Sequence, residues 1–494
     1  MTRLVLRMFL ASVLALLPAR IPAQIAQSEY AARRDSLAAR LGDGIIIVLG
    51  AHEPAEDFLA FFQSSPFLYL TGFREPESAL VMARQSGRLT STLFVKPKDP
   101  AREVWTGARL GAAGVAGLTG LQGRSIDELD SALDSLARSA PPFFVIGDLG
   151  GGASAATADA QFMQRLRERH PGLTLGAGAA PAERVLRGSK SPAELALIRR
   201  AVDITVGAQR DAMRAMKSVR NEFEIQALVE YDFRRHGAER PAFATIIGSG
   251  PNSTTLHYNA DDRLLSPGDV VVMDIGAQYD GYAADVTRTV PVSGTFSPEQ
   301  RAIYKVVRDA QAAAERQATL GAPARAMSDS ATAVLAEGLA RLGLIESPSA
   351  TFDGAPGQCR EPGGCPQLSL YYMHGLGHGI GLDVHDPDQF YYTGKIAPGS
   401  AFTIEPGLYV RANVLATLSD TPRNRATIAK LSGAVRRYAN IGIRIEDDYI
   451  ATQAGVEWIS RAPREMLEIE AAMREPWTGP GAVDSARGRP HRDQ

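Results

Sequence analysis

The chain has 494 residues, 45% of them hydrophobic, which suits two or three domains with large cores. Its 53 Lys and Arg balance 55 Asp and Glu, so no global field draws it to nucleic acid or to an anionic membrane surface.

The first residues read as an address. Arg3 and Arg7 flank a short apolar run from Met8 to Leu17, followed by Pro18 and the small-residue stretch Ile21-Pro22-Ala23-Gln24. Basic, apolar and then small residues is the order of a secretory signal peptide. Residues 1–23 are therefore expected to be removed, with cleavage after Ala23 or Ala26, and the protein to be exported, periplasmic or secreted. The run falls short of the ~18–20 apolar residues of a membrane span, so no span is expected after cleavage.

Residues 27–185 read as an α/β domain, because strands alternate with helices. A helix is predicted near 30–41 and a strand at 44–49, a continuous apolar run. Further strands are predicted at 67–72, 78–82, 91–95 and 143–146, with helices at 125–139 and 159–169. Residues 190–465 read as a second, α+β domain. Ser191-Pro-Ala-Glu194 and Ser297-Pro-Glu-Gln300 are capping boxes with Pro at the first helical position; they open helices predicted to run to about 217 and 320. Two more helices are predicted at 222–236 and 327–342, and strands at 243–247, 270–275, 283–290, 402–405 and 442–445. Residues 477–494, rich in Gly, Pro, Arg and Asp, are expected to be disordered. Only two cysteines occur, Cys359 and Cys365; in an exported chain they read as a disulfide closing a small loop, worth about 2 kcal/mol.

Ionisable residues in strand-like or glycine-rich contexts carry the chemistry. Asp274 ends the buried run Val270-Val-Val-Met-Asp274. A turn centred near 279–280 is predicted to bring Asp285 directly opposite Asp274 on one face. Like charges so placed destabilise a hairpin unless a cation lies between them, although Asp285 taken alone reads first as a turn cap. His374, His378 and His385 lie where glycine occupies every second position from 375 to 381, which excludes a stable helix and lets backbone approach a ligand. An extended run puts His374 and His378 on one side; His385 joins them only across a bulge or turn. His257 is a further candidate. Glu405 precedes a Pro-Gly turn, and Arg444 and Glu446 share a strand face by the period of two. Either motif alone could be a buried ion pair. Together they give four carboxylates, Asp274, Asp285, Glu405 and Glu446, and the imidazole of His378. Four buried carboxylates repel one another and bind protons unless cations neutralise them. Two divalent ions balance the charge and supply both a nucleophilic water and a Lewis acid, so a dinuclear metallohydrolase is expected.

In this order, these residues resemble the methionine aminopeptidase, prolidase and aminopeptidase P metallopeptidases of pita-bread fold, over roughly residues 190–465. Tyr69-Leu-Thr-Gly-Phe-Arg-Glu-Pro-Glu77 and Glu103-Val-Trp-Thr-Gly107 are similar to the N-terminal domain of the proline-specific branch. The resemblance implies long helices on a curved antiparallel sheet, preceded by a creatinase-type α/β domain. It implies that Asp274 binds one metal, that Asp285 and Glu446 bridge both, and that His378 and Glu405 complete the other shell. Oxygen-rich ligation favours Mn²⁺, with Co²⁺ or Zn²⁺ as substitutes. A hydroxide between the metals would attack the Xaa-Pro carbonyl, with Glu405 passing the proton to the leaving nitrogen. His257, His374 and His385 would orient substrate, and Arg444 would hold Glu405 or polar groups of the substrate. The implied activity is that of an Xaa-Pro aminopeptidase acting on peptides with proline second. An Xaa-Pro dipeptidase is the alternative, because about thirty residues separate Tyr409 from Gly442. A non-catalytic module on the same fold is the remote one, disfavoured because no ligand carboxylate is lost. Relatives with this N-terminal domain imply a homodimer or homotetramer.

Overall fold

The structure, a computed structural model, describes residues 25–477 and 479 apart from 140, 151–155, 356–358 and 360–363. The expected signal peptide, and all but two residues of the expected tail, lie outside the described residues.

The first half is built on one mixed sheet. Helix α1 (Gln27–Leu41) leads into β1 (Gly44–Leu49); α2 (Ser65–Thr71) and the hairpin β2 (Ala79–Gln85) and β3 (Arg88–Val95) follow. Then come α3 (Pro100–Thr106), α4 (Gly111–Thr119), β4 (Gln122–Ser125), α5 (Leu129–Ala137), β5 (Phe143–Ile146), α6 (Ala158–Arg169) and α7 (Ala179–Arg187). The sheet order is β4-β3-β2-β1-β5, antiparallel at its centre and parallel at both edges. Strand β1 is buried along its whole length, which explains its unbroken apolar sequence.

Residues 67–72, predicted as a strand, are a helix instead. Pro66 sits at the start of α2 and Gly72 ends it at φ 67°, the Pro-start and Gly-stop pattern of helix termini. Every residue from Phe67 to Thr71 is buried, so no polar face marks the helical period. Helix α3 was not foreseen, although Asp99 caps it by accepting from the Ala101 and Arg102 amides ahead of Pro100.

The second half begins at α8 (Pro192–Ala215), opened by the Ser191/Glu194 capping box. Helix α9 (Glu222–Arg235) and strands β6 (Arg240–Pro241), β7 (Ile246–Ser249), β8 (Val270–Ile275), β9 (Ala277–Tyr279), β10 (Tyr282–Ala283) and β11 (Val286–Pro291) follow. Helices α10 (Pro298–Gln317) and α11 (Arg325–Leu342), the short ladder β12 (Thr351–Phe352) and β13 (Cys365–Pro366), and α12 (Phe390–Thr393) come next. The chain continues through β14 (Ala401–Ile404), β15 (Gly407–Val410), α13 (Pro422–Tyr438), β16 (Ile441–Arg444), β17 (Asp447–Thr452), β18 (Gly455–Trp458) and α14 (Met466–Ala472). Every strand pairing in this half is antiparallel. The Glu446 amide donates to the Thr287 carbonyl (3.1 Å), and Thr289 Oγ1 to the Arg444 carbonyl (2.9 Å), so β16 is fastened alongside β11. Cys359 and Cys365 form the expected disulfide.

The two halves share a core. Phe67, Leu70 and Phe73 pack with Leu197, Ala201, Tyr282, Ile380 and Leu382. Arg33 lies 4.2 Å from the Tyr69 ring centre and 3.2 Å from Glu194, which also accepts from the Tyr282 hydroxyl (3.0 Å). No helix among the described residues is long and apolar enough to cross a membrane.

Candidate metal centre

Asp274 stands in β8 opposite Thr287, and Ile275 opposite Val286. The predicted register, with Asp285 facing Asp274, is therefore corrected by two residues. The reversal is centred on Asp280 and Gly281, whose φ values of 51° and 90° give the primed turn that matches strand twist. Asp285 falls diagonal to Asp274, still on its face. The ladder breaks just before it, and the Asp285 amide donates to the Asp448 carboxylate instead (3.1 Å).

The glycine-rich stretch runs beside β14. His378 and Thr403 exchange hydrogen bonds: the Thr403 amide donates to the His378 carbonyl (2.9 Å) and the His378 amide to Thr403 Oγ1 (3.1 Å). A Cβ on Gly377 would sit 2.1 Å from the Thr403 carbonyl oxygen, so only glycine allows this approach. The reversal needed to recruit His385 is present. Gly379 pairs with Asp386, and the rings of His378 and His385 lie 4.0 Å apart.

Five groups converge. His378 Nε2 is 3.5 Å from Asp285, 3.4 Å from Glu405 and 3.9 Å from Glu446. Asp285, His378 and Glu446 each offer a ligand atom within 4.8 Å of the other two. His257, His374, His385 and Arg444 line the same cavity of about 490 Å³. The Nδ1 of His378 faces the Gly379 carbonyl (3.1 Å) and so carries the proton, which leaves Nε2 as a free lone pair toward the carboxylates. Arg444 donates to Asp274 (2.5 Å), Tyr409 Oη (2.9 Å) and Thr287 Oγ1 (3.2 Å). Of the two parts expected of Arg444, holding Glu405 or polar groups of the substrate, the direct bond to Glu405 is not made among the described residues, because β16 aims the side chain at β8.

The electrostatics are those of a site built for cations. Burial, then repulsion from Glu446, Asp274 and Glu405, pushes Asp285 well above the usual carboxylate range. Burial, then Glu405 and Asp274, does the same to Glu446, and burial above all pushes Glu405 up to about 8. Burial lowers His374 and His378 to about 4. One oxygen each of Asp274, Asp285 and Glu446 is buried without a hydrogen-bond partner among the described residues. Buried carboxylate oxygens without donors cost several kcal/mol, and a divalent cation is the ligand that fits them.

Tyr409 has a part that its motif did not reveal. Its hydroxyl bridges His374 Nε2 (2.8 Å) and Arg444. Thr287 donates to Glu446 (2.7 Å), and Phe243, Leu256 and Val384 form apolar wall. Phe243 lies in the predicted strand 243–247, but the ladder begins only at Ile246, which frees Phe243 to face the cavity. Only the shared parity of Glu405 and Tyr409 around the Pro-Gly turn hinted at any of this.

The model of metallopeptidase family M24 matches residues 196–453, and that of the aminopeptidase P N-terminal domain matches residues 30–144. The Xaa-Pro aminopeptidase of Escherichia coli (strain K12) is 31% identical over 91% of this chain and 98% of its own length. The Xaa-Pro aminopeptidase of Haemophilus influenzae is 30% identical over 84% of this chain and 88% of its own. Among solved structures, aminopeptidase PepP of Pseudomonas aeruginosa superposes with a TM-score of 0.75 at 30% identity, covering 91% of this chain and 98% of that one. Zn-substituted aminopeptidase P of E. coli in complex with product superposes at 0.74 with 30% identity and the same coverage.

Proposed function

The chain belongs to metallopeptidase family M24, and on that premise we propose that it is a metal-dependent Xaa-Pro aminopeptidase, releasing the first residue of peptides whose second is proline. The observation that carries this reading is the convergence of four carboxylates and one imidazole, with three carboxylate oxygens buried and unbonded. Asp274, Asp285, His378, Glu405 and Glu446 hold two divalent ions. Their oxygen-rich set favours Mn²⁺, with Co²⁺ or Zn²⁺ as substitutes. When bound, such ions supply a water acidic enough to attack at neutral pH and a Lewis acid for the scissile carbonyl.

The chain's own side chains do the rest. Glu405, which lines the cavity beside His378 (3.4 Å), would take a proton from the attacking water and pass it to the proline nitrogen as it leaves. That nitrogen has no N–H and sits in a ring of fixed φ, so the site recognises shape and carbonyl rather than an amide donor. His257, His374 and His385 face the substrate from three segments of the cavity wall. His374, neutral at pH 7, gives its one N–H to the Gly375 carbonyl (Nδ1, 2.7 Å) and accepts at Nε2 from the Tyr409 hydroxyl (2.8 Å), which fixes the face its ring presents to substrate. Arg444 fixes Asp274 and Tyr409, and it acts on Glu405 through its charge.

The long segment between β15 and β16, folded as α13, kept a dipeptidase in view. None of its residues lines the cavity, and the relatives above are named aminopeptidases. With Mn²⁺ present, kcat/KM on an Xaa-Pro-Yaa tripeptide is expected to exceed that on Gly-Pro by at least about tenfold, roughly 1.4 kcal/mol of transition-state binding from the added residue. A faster turnover of Gly-Pro than of any longer peptide would make it a dipeptidase.

The homo-oligomer implied by the resemblance is supported by exposed apolar residues of the first half: Leu59 and Trp105, 52% and 74% exposed, line one cleft, with exposed Phe58 and Val104 next to them in sequence. Clustered exposure of this kind marks an interface. Trp105→Glu is expected to shift the sedimenting species from dimer or tetramer toward monomer. A wild-type chain that sediments as a monomer at micromolar concentration sinks the oligomer.

A further inference from the structure

His385 faces the cavity, yet its ring makes no hydrogen bond with the described residues; its nearest polar ring neighbour is His378, at 4.0 Å. Its position comes from the reversal between Gly379 and Asp386, and what holds that reversal is on the far side of the turn. Asp386 is 3% exposed and uses both carboxylate oxygens. Oδ2 meets Lys190 Nζ at 3.0 Å, and Oδ1 accepts from Arg187 and from the Asp383 amide (3.0 Å). Arg187 also bonds Asp383 (2.7 Å), and Lys190 donates to the Pro387 carbonyl. Both cations are buried, at 3% and 4% exposure. They come from the end of α7 and the link to α8, about two hundred residues earlier in the chain. Two further bonds complete the fastening. The Gln389 amide donates to the Gly188 carbonyl (3.0 Å), and Ser65 Oγ, at the start of α2, donates to Asp383 (2.5 Å).

We propose that Arg187, Lys190 and Asp386 form a positioning clamp for His385, through which the junction between the two halves sets the substrate-orienting geometry of the cavity. The inference rests on the reading of His385 as a substrate-orienting residue. Two cations and one carboxylate removed from water are costly, and replacing them with packed apolar groups would serve stability as well. Their use here follows from what they hold. A carboxylate bonded on both oxygens has one orientation, and the turn that begins with the next residue back inherits it. The Cβ position of Gly381 lies 2.5 Å from Asp386 Oδ2, so the turn is wrapped closely around the carboxylate. Apolar contacts would leave it free to slide by an ångström, a displacement that costs about 10²-fold in rate when it moves a catalytic group.

A double-mutant cycle in the Mn²⁺-loaded full-length enzyme tests this on an Xaa-Pro-Yaa peptide. Asp386→Asn keeps the volume and removes the charge. It is expected to lower kcat/KM by about 10- to 100-fold when His385 is present. In a His385→Ala background it should change kcat/KM by no more than about twofold, because coupled residues are not additive. Where Asp386→Asn gives no folded protein, Asp383→Ala runs the same cycle, since the Asp383 side chain is 49% exposed and tolerates loss. Equal losses in both backgrounds, or no loss beside an intact His385, overturn the clamp alone. A His385→Ala enzyme of unchanged activity overturns the reading of His385, and the clamp with it.

Discussion

Asp285→Ala is expected to lower hydrolysis of a proline-second peptide by at least about 10³-fold, some 4 kcal/mol of transition-state stabilisation, while the chain stays folded. Asp285 is the most central of the acidic groups, raised by Glu446, Asp274 and Glu405 together and 3.5 Å from His378. Its loss leaves two cations facing three carboxylates, so bound metal should drop below two ions per chain by elemental analysis. The fold should survive, because deleting one of four mutually repelling charges relieves the metal-free pocket. A variant that keeps wild-type turnover would remove Asp285 from the centre. Fewer than one divalent ion per freshly purified wild-type chain would count against a dinuclear site altogether.

Chelation should abolish activity and also change how stability depends on pH. Glu405 has a folded-state value of about 8, and Asp285 and Glu446 are likewise raised, against about 4 in an unfolded chain. Between those values the folded, metal-free protein binds more protons than the unfolded chain, so its stability falls as pH rises. The stabilisation from carboxyl protonation is fully present only below about pH 4 and is lost through about pH 8. The melting temperature of the chelated enzyme should therefore fall from pH 5.5 to pH 8. Restoring Mn²⁺ at pH 8 should recover it, with release of protons on binding. A chelated protein more stable at pH 8 than at pH 5.5 would mean that the carboxylates are not crowded in solution.

Much of this was legible in the sequence because local rules sufficed. The run ending in Asp274 became β8 with its stated bounds, and both Ser-Pro capping boxes opened their helices. The metal-site residues announced themselves as carboxylates in places where burial forbids charge. What stayed hidden depended on tertiary choices. Residues 67–72 look like a strand because burial on every side erases the helical period. The two-residue error at Asp285 came from centring the turn one residue early, on Tyr279–Asp280, when the φ > 0 positions were Asp280 and Gly281. The bridge from His374 through Tyr409 to Arg444 and the link between Arg187 and Asp386 join residues 35 and 199 positions apart. No window of sequence spans such distances.

The interleaving of β8, β11 and β16 has a consequence for how the enzyme matures. Asp274 and its partner Arg444 are separated by 170 residues, and Glu446 docks on Thr287 across 159. Closing loops of that length is slow, and domains emerge from synthesis N-terminal end first. A nascent chain therefore exposes Asp274, Asp285 and His378 before Glu446 arrives, and the full ligand set exists only once the segment carrying Glu446 has docked on β11. On the reading proposed above, metal capture is expected late in folding, from whatever compartment surrounds the chain when its final strands close.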